Sequence, residues 1–246
     1  VPEVLDRIYY IFNACITAGY NPAAFQQSIT MVLRKGGDRD YREPRSYRPV
    51  ALLKTLGKFL ELIMAGRLSY MVETYGLLPP THLGGRRDIS TDHAIQILLD
   101  RIHRAWGVGL PVVSMALLDV TGVYDNTAHE RLLHDLRRKG LGKVTPWVRA
   151  FLSDWSTRIR MPEGLAERVP TPTGIPQGSS LLLILYLFYN AGLIEACTEQ
   201  EIRESTEAEI LKQMVAYGWV DDVSCLAAGM SEEESMAKLQ VGCCRT

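Results

Sequence analysis

The chain has 246 residues, 47% of them hydrophobic and 22% charged, with a net charge of −1 at pH 7. That composition excludes a disordered or fibrous protein, and a chain of this size can bury about 70–75% of the surface its unfolded form exposes, as one large domain or two small ones. Near-neutrality excludes a surface that is basic throughout, of the kind dedicated phosphate-backbone binders carry.

In chain order, Pro2 and the spaced apolar residues Leu5, Ile8, Tyr9, Phe12 and Ile16 predict an amphipathic helix closed by Gly19. Residues 29–33 read as a short strand, and Gly36 and Gly37 as a turn after it. From Arg34 to Arg48 six basic residues stand against three acidic ones, a local basic patch that a neutral average conceals. A long helix is expected over 54–75, stopped by Gly76, and another opens at Ser90 or Thr91. After Pro111, residues 112–118 form a β-favouring run that ends in Asp119, followed by a charged helix over 129–139. A further helix is centred on Trp147, Phe151 and Trp155, ahead of a strand at 158–161 and a turn-rich stretch at 170–178. An apolar helix over 179–197, paired strands at 214–220 and 223–228, and a last helix with Ser231 and Glu234 as a capping box complete the reading.

The five cysteines, Cys15, Cys197, Cys225, Cys243 and Cys244, show no C-x-x-C spacing. They suggest neither a disulfide framework nor a zinc site, and an intracellular, reducing setting is expected. The longest apolar run, 181–189, is well short of the roughly 20 residues that span a bilayer, and Asp6 and Arg7 interrupt any signal-like start, so no membrane partner is expected. The five histidines have no metal-ligand spacing and are read as surface or satisfied core residues, and the tryptophans as core anchors.

The paired strands around Asp221 and Asp222 carry the chemistry. A two-residue hairpin loop normally uses Asn-Gly, Asp-Gly or a leading Gly, because positive φ is needed there. Val220, Asp221, Asp222 and Val223 offer no glycine, and two adjacent carboxylates repel. A bound cation would account for such residues; a longer loop with solvated acids is the alternative. Asp119, at the end of another apolar strand, is by itself a common strand-end aspartate. Meeting the Asp pair, it would complete a two-metal site for phosphoryl transfer, in which positioning and charge stabilisation do most of the work. A second enzymatic reading takes Asp119, Val120, Thr121 and Gly122 as the nucleophile loop of an aspartyl-phosphate phosphatase, which requires a parallel sheet.

LLDVTGVYDN at 117–126, GIPQGSS at 174–180 and YGWVDD at 217–222 resemble motifs A, B and C of reverse transcriptases, in the right order. SYRPVALLKTLGKFLE at 46–61 and THLGGRRDISTDHA at 81–94 resemble the finger motifs of non-LTR retrotransposon enzymes, particularly those of filamentous fungi. The resemblance implies an α+β fold of reverse-transcriptase fingers (1–110) and palm (111–246), with an antiparallel palm sheet backed by helices. It implies an RNA-directed DNA polymerase that uses two Mg²⁺ ions, or Mn²⁺ in their place, with an RNA template, a DNA primer and deoxynucleoside triphosphates. Asp119 and Asp221 would be metal ligands with the backbone carbonyl of Val120, and Asp222 would support the metals or the primer end. Tyr124 matches the aromatic that crowds a ribose 2′-hydroxyl, Arg48 and Lys35 the groups that grip the triphosphate, and Gln177 and Gly178 the part of motif B that approaches nucleotide and template. A nuclear compartment is suggested by the family alone.

Motif B departs from the common Ser-Pro-Leu-Ser-Pro, since Ser179 and Ser180 are followed by three leucines, and Gly192 stands where relatives often carry an acid. The sequence ends at Thr246, ahead of where motif D and the thumb are expected, which reads as a truncated or decayed copy. A catalytically inactive remnant that binds nucleic acid is the corresponding alternative function.

Overall fold

A computed structural model describes residues 2–119, 122–198 and 206–243. The first elements are α1 (Pro2–Ala18), β1 (Gln27–Arg34), β2 (Tyr47–Leu52) and α2 (Thr55–Tyr75). They are followed by α3 (Thr91–Gly107), β3 (Val112–Asp119), α4 (His129–Arg138) and α5 (Thr145–Leu152). After β4 (Ser156–Met161), β5 (Gly164–Pro170) and α6 (Leu182–Cys197) come α7 (Glu207–Lys212), β6 (Val215–Trp219), β7 (Asp222–Gly229) and α8 (Glu232–Cys243). By packing, the chain divides into two compact units, Val1–Leu68 with Gly122–Leu185 and Ser69–Thr121 with Tyr186–Thr246. Each unit takes in residues from both sides of Pro111.

The second unit is built on a three-stranded sheet of order β3-β7-β6, antiparallel throughout, as expected. Alternation along the strands gives the sheet two apolar faces. Ala216, Val223, Cys225 and Ala227 face one way and pack with Ile194 and Cys197 of α6 and Leu239 of α8. Val215, Tyr217 and Leu226 face the other way, against Leu83 and Ala94, with Leu98 and Ile102 of α3 beside them. The Arg101 guanidinium donates to the carbonyls of Ile210 (3.1 Å) and Gln213 (2.9 Å), tying α3 to the end of α7. Helix α7 was not anticipated, because its six residues lie in a polar stretch and bury Leu211 alone; the signal was Thr206 and Glu209, which form a reciprocal capping box. At α8, Ser231 accepts from the Glu234 amide as predicted, but the Glu234 carboxylate reaches Met230 N rather than Ser231, so the expected box is half made.

The first unit holds a four-stranded sheet of order β2-β1-β4-β5, in which β1 and β4 run parallel and the other pairs antiparallel. The Gln26 side chain donates to the carbonyls of Ala150 (2.7 Å) and Ser153 (2.8 Å), fixing the entry to β1 against the end of α5. Trp147, Phe151 and Trp155 are buried as anticipated, although Trp155 lies beyond α5 and donates its indole N–H to the Phe151 carbonyl. Trp106 of α3, also expected to be a core anchor, is instead 51% exposed. Strand β5 was missed because Glu167 and Arg168 break the apolar pattern, as suits an edge strand with an exposed outer half. Helix α6 starts at Leu182 rather than Ser179, because residues 176–181 form hydrogen-bonded turns first.

Candidate functional site

The β3–β7 register sets Asp119 directly opposite Asp222. Opposed residues of an antiparallel pair share a face, with Cβ atoms about 4.5–5.5 Å apart. The two carboxylates therefore project together from one end of the sheet, where Asp119 and Asp222 are exposed and Asp221, in the bend, is half-buried. Partial loss of water, and then the charges of Asp221 and Asp119, hold the Asp222 carboxyl above the usual carboxylate range. Among the described residues no ion pair reaches any of the three acids. Nor, among those residues, do three potential ligands already close around one point. In donor chemistry the site fits a hard divalent cation, since it offers oxygen ligands and uncompensated negative charge open to solvent. Val120, the expected carbonyl ligand, lies outside the described residues. The antiparallel pairing also removes the aspartyl-phosphate phosphatase reading, whose nucleophile loop needs a parallel sheet.

The bend is one residue earlier than the sequence suggested. Trp219 pairs with Asp222, so the two loop residues are Val220 and Asp221, and Asp222 belongs to β7. Val220 has φ +59°, the conformation a tight hairpin requires at its first loop position and one that glycine usually supplies. For a β-branched residue this is strained, at a cost of order 1–3 kcal/mol, and persists where the surroundings over-determine it. Here the Asn190 side chain donates to the Val220 carbonyl at 3.1 Å. On the other side the Leu83 and Gly84 amides donate to the Gly218 carbonyl (2.8 and 3.1 Å), and Gly218 N donates to Thr81 O. Gly84 is pressed so closely to the bend that a Cβ there would lie 2.5 Å from Val220 N. Sequence reading missed Asn190, whose signal was an amide directly after the apolar and aromatic run 182–189 of α6.

His82 corrects another expectation. It is fully buried against Gly218, and neither ring nitrogen has a hydrogen-bond partner among the described residues. Burial, and then the Arg86 charge, push its pKa down to about 4. Its value in this place is its flat ring beside the edge of β6, not a polar contact. His129 and His93 are satisfied, through the Gly174 carbonyl (2.7 Å) and the Ser90 cap of α3.

The expected nucleotide-contacting residues all lie in the first unit. Ile175 N donates to Tyr124 O (2.8 Å), Gly174 N to Thr127 O (3.2 Å), and Gln177 Nε2 to the Asp125 carboxylate (3.0 Å). The segments resembling motifs A and B are thereby laced together, which brings Tyr124, Gln177 and Gly178 into one loop cluster. Ala51 N donates to Gln177 O at 2.7 Å, and Gly178, at φ +138°, leaves no room for a side chain against the Ala51 carbonyl. Thr30, Ala51, Asp125, Thr157 and Gln177 border a cavity of about 440 Å³ beside this cluster. Arg48 is exposed on β2 opposite Leu33, and Lys35, half-buried, follows β1 with its amide on Ser46 O.

Glu61 of α2 was also unforeseen as a site residue. It is 3% exposed and accepts from Ser179 Oγ (2.7 Å) and from Ser180 N (3.1 Å). Burial raises its pKa, opposed by those two bonds and by Lys58. Ser179 Oγ in turn accepts from Leu181 N at 3.0 Å, so one buried carboxylate organises the entry to α6.

An antiparallel sheet with an acidic hairpin at its end, backed by helices, defines the fold class as the fingers and palm of reverse transcriptases. Among solved structures, apo telomerase of Candida tropicalis truncated from its C-terminal domain superposes with a TM-score of 0.62 at 12% identity, covering 89% of this chain and 46% of that one. Telomerase of Candida albicans in complex with a fragment of telomeric RNA gives 0.56 at 14% identity, over 90% of this chain and 41% of that one. At such identity the likeness concerns the fold. The family model "Reverse transcriptase (RNA-dependent DNA polymerase)" matches residues 33–245, and the chain belongs to that family. Similar proteins include the RNA-directed DNA polymerase from mobile element jockey of Drosophila melanogaster, 25% identical over 97% of this chain and 25% of its own length. The 115 kDa protein of the type-1 retrotransposable element R1DM, from the same organism, is 32% identical over 73% of this chain. The chain spans 25% and 16% of these two relatives, whose names bear out the expected non-LTR kinship.

Proposed function

We propose that the chain is the catalytic core of an RNA-directed DNA polymerase, extending a primer 3′-hydroxyl with deoxynucleotides on an RNA template. The observation that carries this is the register that sets Asp119 opposite Asp222 with Asp221 in the adjoining bend. Asp119 and Asp221, with the main-chain oxygen of Val120, would hold two Mg²⁺ ions, or Mn²⁺ in their place. Bound there, such ions neutralise charge at the attacking and leaving oxygens of an in-line displacement. Asp222, whose carboxyl is held up first by burial and then by the charges of Asp221 and Asp119, supports the ligand pair and the primer end. Arg48 and Lys35 grip the triphosphate; the planar Arg fork suits phosphate oxygens. Tyr124 crowds the ribose 2′ position, and Gln177, oriented by Asp125, and Gly178 border the approach of nucleotide and template. Fingers over 1–110 and palm over 111–246 are the corresponding functional divisions.

Primer extension on an RNA template with Mg²⁺, compared with Asp221→Asn, tests the assignment. The substitution is expected to lower extension at least about a hundredfold, because the cations contribute several kcal/mol of charge stabilisation. Equal extension by both proteins would remove the site. Salt-dependent binding of template-primer without extension by either would assign the chain to the non-catalytic reading.

A further inference from the structure

We propose that Asn190 is a positioning residue for the acidic bend: its side-chain amide, by holding the Val220 carbonyl, fixes the strained backbone that presents Asp221 and Asp222 beside Asp119. This rests on the reading of those acids as cation ligands. Asn190 is 4% exposed on α6, whose preceding residues, 182–189, are all apolar or aromatic. Packing alone would favour another apolar side chain there, and among the described residues the polar contact the amide makes is the 3.1 Å bond to Val220 O. That carbonyl belongs to the peptide plane that also carries the Asp221 nitrogen. Holding it therefore sets the direction in which Asp221 leaves the bend.

The opposite side of the bend is a wall. Gly84 lies against the Trp219–Val220 backbone, where a Cβ would come within 2.5 Å of Val220 N and 2.8 Å of Trp219, and two amides of the same segment bond Gly218 O. A wall limits how far the bend moves, but the plane of the Val220–Asp221 peptide can still rotate against it. Val220 adopts φ +59° without the freedom of glycine, so an outside donor is what selects this conformation. Asn190 supplies that donor.

Three measurements on the full chain test the proposal: the dissociation constant of Tb³⁺, read by luminescence on tryptophan excitation with Trp219 next to the bend; backbone amide exchange over 219–223 without cation; and thermal stability. Asn190→Leu removes the donor while keeping the helix apolar and filled, and Asn190→Ala serves if the leucine variant does not fold. The expected result is Tb³⁺ affinity weaker by about tenfold, as loss of groups that orient metal ligands typically gives, with faster exchange confined to the bend and a melting temperature within a few degrees of the parent. Adding Val220→Gly, which adopts the left-handed conformation unaided, should recover most of the lost affinity. Unchanged affinity and exchange in the Asn190 variants would overturn the proposal, as would acceleration spread over the whole chain. If the parent binds Tb³⁺ no better than Asp221→Asn, the cation reading fails on its own account. Exchange at the bend then decides: faster in the variant upholds the positioning role, and unchanged overturns it.

Discussion

The two regions that carry the family's motifs hold their polar groups in opposite ways. In the loop cluster of the first unit the polar groups are bonded to one another: Gln177 to Asp125, Glu61 to Ser179 and Ser180, His129 to Gly174. At the end of the three-stranded sheet, three carboxylates stand close together with no ion pair among the described residues, at and beside a bend with strained backbone. The first arrangement satisfies its hydrogen bonds internally and gains order. The second leaves its charge uncompensated, which costs stability and keeps oxygen ligands available. A site for a hard cation needs the second kind of construction, and a loop that must hold one shape beside a substrate needs the first.

The contrast is broken most directly at Asp119. Asp119→Asn removes a ligand together with one of two like charges that face each other across the ladder. Extension should fall at least about a hundredfold, whereas stability should hold or rise by about 0.2–1 kcal/mol, the usual worth of directly opposed like charges. In a chain of this size that is an increase of up to a few degrees in melting temperature. A calorimetric melting temperature several degrees lower would mean that the acid is a structural partner, and the distinction between the two regions would collapse.

His82 sharpens the comparison through pH. Its folded pKa, about 4, lies below the ordinary histidine value of about 6.5, so the unfolded chain binds the proton first as the medium is acidified. The contribution is complete above pH 6.5 and is lost as pH falls toward 4, by up to about 3 kcal/mol for a difference of this size. Glu61 works with the opposite sign: its raised pKa favours the protonated folded form, so its contribution weakens as pH rises through the folded value. Denaturant unfolding from pH 7 to pH 4 should therefore become easier, and His82→Phe should flatten the slope. A slope that survives this substitution would place the acid sensitivity elsewhere.

What could be read in the sequence divides along the same line. Asp119, Asp221 and Asp222 were legible because one apolar run stops at Asp119, two others flank the acid pair, and glycine is missing where a hairpin wants it. The register that joins Asp119 to Asp222 follows from the alternation of Ala116 and Leu118 with Val223 and Cys225 on one apolar face. Contacts that hold the loops were not legible. Glu61 lies 118 residues from Ser179, and nothing local in a helix marks one glutamate as buried. Asn190, 30 residues from Val220, was similarly hidden until the chain was folded. The mixed four-stranded sheet escaped for a related reason: the parallel partnership of β1 with β4 joins segments far apart in sequence, without a turn signal between them.

The ordered loop is probed through its use of Glu61. Glu61→Ala would leave the Ser179 hydroxyl and the Ser180 amide without their acceptor in a buried place, at a cost of about 1–3 kcal/mol. Ser180→Pro tests the same carboxylate from the other side, because proline has no N–H to donate. With the Ser179 bond intact, the loss should be nearer 1 kcal/mol. The two substitutions share one acceptor, so the double variant should cost less than their sum in denaturant unfolding. Strict additivity would show that Ser180 and Glu61 act independently, and the loop would then owe its order to the Asp125–Gln177 and Tyr124–Ile175 bonds instead.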